Sequence, residues 1–379
     1  MVLTGKVILI ISSEAWGKIF ISKHHYALTL AQLGNIVFFL NPPDFGLPYG
    51  TVRIENYSLE KNLSIVTYRP FFPWILKFHA KWLFNILIKL QLKKILKRLK
   101  AKLDIVWDFS CSFLYNDLSV FNAGLRIFHP VDRLSADARN KRSDILFSVS
   151  PLILKDYAVK NVPAFLINHG ISEEYKEIAE QPPIPVDYSH KTIKIAYIGN
   201  LVIPTLDRDV LLRIISGNTH VNFTFIGPYS NKQNNVSSDF NSKDKEFIDT
   251  LRSFPNVSLT GILSTRELAD KIQEFDIFFI CYKSTGNYRC DNSHKILEYL
   301  STGKVVVSTP ILFYQDSDLL QMSKGVGDFE NVFTTVIRNL DFYNSVEKMT
   351  ERKNFAKNNT YRDHLKKIEQ LITQSVKSD

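Results

Sequence analysis

Long apolar runs are missing from this chain. None of its 379 residues falls in an uncharged apolar stretch of about 18 residues, so no membrane-crossing helix is expected. Cysteine is scarce: Cys111, Cys281 and Cys290 are the only three, and none forms a CxxC pair. An odd number without that spacing argues for reduced thiols, and against a disulfide framework or a structural zinc site. A signal peptide is not apparent either. Val7 to Ile11 is too short for an apolar leader core, no small-residue cleavage site follows, and the run reads as a first buried strand. Triplets such as Asn256-Val257-Ser258 carry no meaning without secretion. The G-x-G-x-x-G fingerprint is absent after that strand, where Ile11 leads into SSEAWGK, which disfavours a nicotinamide oxidoreductase. No short repeat and no recognised nucleic-acid motif occurs, so no nucleic-acid partner is expected.

What is present fits an ordinary globular composition, 45% hydrophobic and 22% charged, which excludes extensive disorder. The length exceeds what one core usually supports, so two domains are expected. Short apolar runs alternate with helical patterns: strands at Val7–Ile11, Ile36–Leu40, Leu63–Tyr68, Asp104–Trp107, Ile127–Phe128, Ile145–Val149 and Ala164–Ile167, with a helix over His24–Leu33 stopped by Gly34. Such alternation predicts a parallel sheet covered by helices. Residues 181–191, holding three prolines with Glu180, read as a linker. The pattern then restarts, with strands at Ile193–Ile198, Val221–Ile226, Val257–Thr260, Asp276–Cys281 and Val305–Ser308. The expected domains are 1–180, a C-terminal Rossmann-like domain over 192–345, and a helical tail, 346–379, packing back toward the first.

Acidic residues are absent from Phe71 to Lys102, which carries nine Lys and Arg among Trp, Phe, Leu and Ile. The formal net charge of the whole chain is +9, so this segment alone accounts for a charge of that size. Greasy and cationic together, it has the composition of a helix lying on a membrane surface. The alternative reading is a domain helix with a solvated lysine face.

The chemistry concentrates in Asp276 to Ser308. A buried strand leads through a polar loop to a helix starting near Asn292 or Ser293 and stopped by Gly303. In a doubly wound sheet, ligands bind at the carboxyl ends of strands. A helix starting there offers free N–H groups and its positive dipole end to a pyrophosphate. Lys295 opposes that dipole, and contact with a phosphate gives it a reason. Glu298, three residues on, has the acceptors to take two ribose hydroxyls. Taken alone, Lys295 and Glu298 read equally well as a surface ion pair.

The run from Asn292 to Thr309, Asn-Ser-x-Lys-x-x-Glu-Tyr-Leu-x-x-Gly-Lys-x-Val-Val-Ser-Thr, resembles the donor signature of GT-B glycosyltransferases, especially the family-4-like group (glycosyl transferases group 1). IAYIGNL (195–201), FTFIGP (223–228), PNVSLTG (255–261), SDILFSVSPLIL (143–154), INHGI (167–171) and Trp16 with His24–Leu30 resemble further stretches of that group in the same order. The resemblance implies an α/β GT-B fold, two Rossmann-like domains facing each other across a cleft. It also implies transfer of a sugar from a nucleotide-sugar donor with retention, no cofactor and no obligatory metal.

Donor binding then falls to Gly199, Asn200, Gly227, Pro228, Tyr282, Asn292, Ser293, Lys295 and Glu298, with Tyr229 near the base. His25 and Asp132 become the catalytic candidates facing the cleft, either serving as general base if the reaction inverts. Trp16 and His169 fall at the acceptor side and hinge. The sequence departs from the group at three places: Cys290 stands where a first glutamate is usual, with Asp291 beside it; Val305 replaces a proline; and His169 is inserted after Asn168. With the basic stretch, the implied acceptor is a glycan or lipid-linked molecule at a membrane surface, as in polysaccharide assembly, with the protein cytoplasmic and peripheral on the inner face of the plasma membrane. A GT-B-fold nucleotide-sugar epimerase and a non-catalytic partner in a glycan assembly complex are the alternative readings.

Overall fold

The computed structural model describes residues 3–110, 114–115, 117–132, 141–230, 241–283 and 290–376. The chain divides into two units, one of residues 1–168 with 361–379, the other of residues 169–360.

The first unit begins with β1 (Val7–Ile11), α1 (Ser22–Gln32), β2 (Ile36–Leu40), β3 (Val52–Asn56) and β4 (Leu63–Tyr68). It continues with α2 (Leu76–His79), α3 (Lys81–Leu99), β5 (Ile105–Asp108), β6 (Leu125–Phe128), β7 (Ile145–Ser148), α4 (Pro151–Tyr157) and β8 (Ala164–Leu166). Its sheet runs β3-β4-β2-β1-β5-β6-β7-β8, parallel except where β3 pairs antiparallel with β4. Alternate residues of β1 feed opposite cores. Leu9 and Ile11 pack with the inner seam of α3, and Ile8 and Ile10 pack with α1. Burial on both faces is what makes these strands continuous apolar runs.

The second unit holds α5 (Glu173–Glu180), β9 (Lys194–Ile198), α6 (Arg208–Gly217), β10 (Asn222–Ile226), α7 (Ser242–Ser253), β11 (Val257–Gly261) and α8 (Thr265–Ile272). It closes with β12 (Ile277–Ile280), α9 (His294–Ser301), β13 (Val305–Ser308), β14 (Gln321–Met322), α10 (Phe329–Arg338), α11 (Leu340–Tyr343) and α12 (Val346–Lys357). The sheet is all parallel, ordered β11-β10-β9-β12-β13-β14. Local chemistry sets the helix starts. Asp207 caps α6, Asn241 with Asp244 forms a capping box on α7, and Ser264 with Glu267 forms one on α8. Ile195 and Tyr197 pack toward α6, α7 and α10, whereas Ala196 and Ile198 pack toward α5, α8 and α9.

The chain then returns to the first unit as α13 (Tyr361–Val376), whose Leu365, Ile368 and Ile372 join the core of Ile8 and Ile10. The proline-containing segment 181–191 forms no helix or strand, and its Tyr188 is buried in the second unit's core. The division between units falls instead between Asn168 and His169.

Candidate functional site

The second unit's sheet grows outward from β9 through β10 to β11, then crosses to β12 and continues to β14. The strand order therefore reverses between β9 and β12, the position where open α/β sheets bind ligands. These two strands pair only at Ile195 with Ile277 and Ala196 with Phe278, so the ladder stops short of Ile198. A side chain fills the gap. The Ile198 N–H donates to the Tyr299 hydroxyl at 2.9 Å, and that hydroxyl donates to the Ile198 carbonyl at 3.3 Å. Tyr299 is held by stacking on Phe278, centroids 4.5 Å apart.

Glycine follows directly where β9 and β10 end. Gly199 and Gly227 have φ of +155° and +139°, values L side chains rarely adopt. The Gly199 N–H donates to the Ile226 carbonyl at 2.7 Å. A Cβ on Gly227 would lie 2.7 Å from the Gly199 carbonyl carbon. A Cβ on Gly199 would overlap the Lys295 ammonium and lie 3.1 Å from Lys295 Cε. Lys295, in the first turn of α9, thus lies against bare backbone, its Nζ 5.7 Å from the Tyr197 ring centroid.

Glu298 sits one turn further along α9. Burial pushes its carboxyl up from 4.5 to about 7, and the Lys295 charge opposes that rise. Among the described residues, neither the Lys295 ammonium nor the Glu298 carboxylate makes a hydrogen bond or an ion pair. The surface-pair reading of these two residues is therefore not what the structure shows. Beside Glu298 lies the buried Tyr175 of α5, whose hydroxyl has no hydrogen-bond partner among the described residues. Burial first, and then the Glu298 charge, raise that phenol well above its ordinary value.

The remaining donor candidates lie in the same unit. Asn200 follows Gly199, and its side-chain oxygen accepts the Val202 N–H at 3.0 Å. Pro228 is buried, and its carbonyl accepts the Leu201 N–H at 3.0 Å. The Tyr229 ring lies under the Arg252 guanidinium at 5.4 Å. Tyr282 follows β12 and donates its N–H to Thr309 Oγ1 at 3.0 Å. Asn292 and Ser293 lead into α9, with Ser293 at the N-cap. Cys290 bridges to Ile311, and the Phe313 N–H donates to the Asp291 carbonyl at 3.0 Å. Residues 284–289 of this loop, and 231–240 of the polar loop before α7, lie outside the described residues. His169 is buried with its ring 6.0 Å from that of His294, the first residue of α9.

The other three candidates belong to the first unit. Trp16 is a hub of aromatic packing, 4.9 Å from Phe20 and from Phe39 and 5.1 Å from Tyr57, and its N–H donates to Asn41. His25 is buried, stacked on Tyr361 at 4.9 Å, and burial lowers its pKa to about 4. Asp132 is exposed, next to residues 133–140, which are outside the described set. No local pattern pointed to the buried Lys141–Asp108 ion pair, 2.6 Å, at the carboxyl end of β5. Nor did any reveal the hydroxyl role of Tyr299, whose partner lies 101 residues away.

No family model matches the chain, and neither does any curated protein. Solved structures do match. Sucrose-phosphate synthase from Thermosynechococcus elongatus superimposes with a TM-score of 0.65 at 11% identity, covering 99% of this chain and 100% of that one. HepE of Anabaena, in complex with UDP and glucose, gives 0.62 at 13%, covering 99% and 100%. The lipopolysaccharide outer core galactosyltransferase WaaB, in its apo form, gives 0.61 at 12%, covering 97% and 99%. Identities this low carry the fold, and they bear out the architecture expected from the sequence: two parallel-sheet α/β units of the GT-B fold.

Proposed function

We propose that this chain is a glycosyltransferase that moves a sugar from a nucleotide-sugar donor to a glycan or lipid-linked acceptor. One observation carries the reading. At the reversal point of the second sheet, Lys295 lies against the bare backbone of Gly199 and Glu298 follows one turn on along α9, neither bonding the other or any described side chain. Half-buried opposite charges that make no hydrogen bond or ion pair within the protein are suited to a charged, hydroxyl-bearing ligand. The fold neighbours support it by name, as HepE is seen with UDP and glucose and WaaB is a galactosyltransferase.

In the proposed reaction the bond from the anomeric carbon to the nucleoside diphosphate breaks, and a bond from an acceptor hydroxyl oxygen forms. Charge grows on the departing diphosphate. The N-terminus of α9 and Lys295 stabilise it there, and the glycine turns let backbone N–H groups approach it. Glu298, ionised, accepts the two ribose hydroxyls. Retention is the favoured course, with the hydroxyl proton passing to the departing diphosphate. An inverting course needs a base, and His25 with a pKa near 4 is a weak one. The reading assigns no cofactor. The acceptor is membrane-proximal, in glycoconjugate or polysaccharide assembly on the inner face of the plasma membrane, a placement supported by the composition of residues 71–102.

Calorimetric titration with UDP, ADP, GDP and dTDP, then transfer assays with the matching sugar donors, test this directly. Lys295→Ala and Glu298→Ala should each lower transfer by about 10²–10³-fold while far-UV circular dichroism stays unchanged. Transfer at the wild-type rate in both variants would remove these residues from the site. Nucleotide binding without transfer or donor hydrolysis would favour the non-catalytic partner, a reading that Cys290 in place of a glutamate keeps in view.

A further inference from the structure

The segment from Phe71 to Lys102 carries more apolar surface than its place in the fold uses. In α3, Phe84, Ile88, Leu92, Ile95 and Leu99 form a buried seam against β1, β2 and β4. One such stripe is all a domain helix needs. Trp82, Ile86 and Leu90 form a second line at a spacing of four, on the far side of the helix, and all three are exposed, Trp82 at 69%. Just before it, Ile75 and Phe78 are exposed too, Phe78 at 74%. The loop after β2 adds exposed Phe45, packed on Trp74 at 5.3 Å, and Tyr49, under the Arg69 guanidinium at 3.8 Å. Lys94 ties α3 to that loop through the Gly50 carbonyl at 2.6 Å. A cluster of this size on one unit marks an interaction surface.

Charge decides among occupants. Lys89, Lys93 and Lys97 follow the exposed apolar line along the same outer face. None of the described salt bridges involves any of the nine cations of the segment, which contains no acidic residue of its own. A second copy of this surface would set cation against cation. An anionic bilayer supplies both an apolar layer and a sheet of negative headgroups.

We infer that α2, α3 and the loop carrying Phe45 and Tyr49 form one docking surface for an anionic lipid bilayer, with Trp82, Ile86, Leu90 and Phe78 entering the headgroup boundary and Lys89, Lys93 and Lys97 meeting lipid phosphates. This deepens the membrane-proximal acceptor proposed above and rests on it. α3 then lies in the membrane plane, its buried seam still in the protein core.

Co-sedimentation with vesicles tests it. The full chain should pellet with vesicles of phosphatidylglycerol and phosphatidylcholine, and much less with phosphatidylcholine alone. Trp82→Ser/Ile86→Ser/Leu90→Ser should lose binding to both. Lys89→Glu/Lys93→Glu/Lys97→Glu should weaken anionic binding on the order of a hundredfold or more, since each cation acts independently near the surface. All six side chains are exposed, so both variants should melt as the wild type does, and the charge variant stands if the serine variant does not fold. The inference is overturned if the wild type ignores anionic vesicles, or if the variants pellet as it does. It is also overturned if sedimentation velocity shows a dimer that the serine variant splits while vesicles go unbound. Nucleotide calorimetry on the same proteins separates the two proposals. Retained vesicle binding with no nucleotide bound leaves the surface standing and removes the transferase; nucleotide bound without vesicle binding does the reverse.

Discussion

In the proposed ribose-binding role, Glu298 would make nucleotide binding sensitive to pH. Its folded pKa, about 7, is raised above the ordinary 4.5. Above pH 7 the carboxylate is ionised and offers only acceptors, as two ribose hydroxyls require. As pH falls through 7 it gains a proton, and nucleotide affinity should fall by up to about tenfold per unit. Calorimetry between pH 8 and pH 5.5 reads this, and Glu298→Gln should bind weakly with that dependence gone. The same raised pKa means that protonation stabilises the folded unit between pH 7 and 4.5, the opposite sign to its effect on binding. Tyr299→Phe keeps the stack on Phe278 but leaves the Ile198 N–H without its partner. It should cost about 1–3 kcal/mol in urea unfolding and weaken nucleotide binding through the neighbouring Gly199. At this scale the sequence was half legible. The helix, its polar loop and the Lys-x-x-Glu spacing could be read, because they are local. That the two charges do not meet each other, and that Tyr299 fills a gap in a strand ladder, depended on contacts across the sheet.

At the scale of elements, the two glycine turns act as one device, since Gly227 has no room for a side chain against Gly199. Gly227→Ala should strain its own backbone by about 1–3 kcal/mol and push the Gly199 peptide away from Lys295. The expected result is a lower melting temperature with nucleotide binding lost, whereas Gly217→Ala, which meets nothing within 4 Å, should change neither. The parallel strands were legible because burial on both faces writes them as unbroken apolar runs. β3 was not: Val52 to Asn56 is largely polar, half-exposed and antiparallel. β14 has only two residues and carries no pattern. In α3 the composition was plain, but which apolar residues face the core and which face outward became visible only with the sheet in place.

Across the whole molecule, acid should act mainly on the first unit. His24, His25 and His364 are lowered by burial to about 3, 4 and 4, from 6.5. The unfolded chain takes up protons first, so stability present above pH 6.5 is lost as pH falls toward 4, by about 1.4 kcal/mol per histidine per pH unit. Urea midpoints from pH 7.5 to pH 4.5 should show the fall, and His25→Asn should flatten it. The proline-containing segment misled because proline punctuates loops inside domains as readily as between them; burial of Tyr188 places it in the second unit's core. The chain passes between units twice, at 168–169 and again at 360–361, so residues 169–360 form one uninterrupted insert. The two ends of that insert touch, Ile171 bridging Thr360 and donating its N–H to Asn359 at 2.9 Å. A single recombination at each of two adjacent points would therefore exchange the whole of residues 169–360 as a cassette, which lets evolution or a protein engineer replace one unit while leaving the chain of the other as it is.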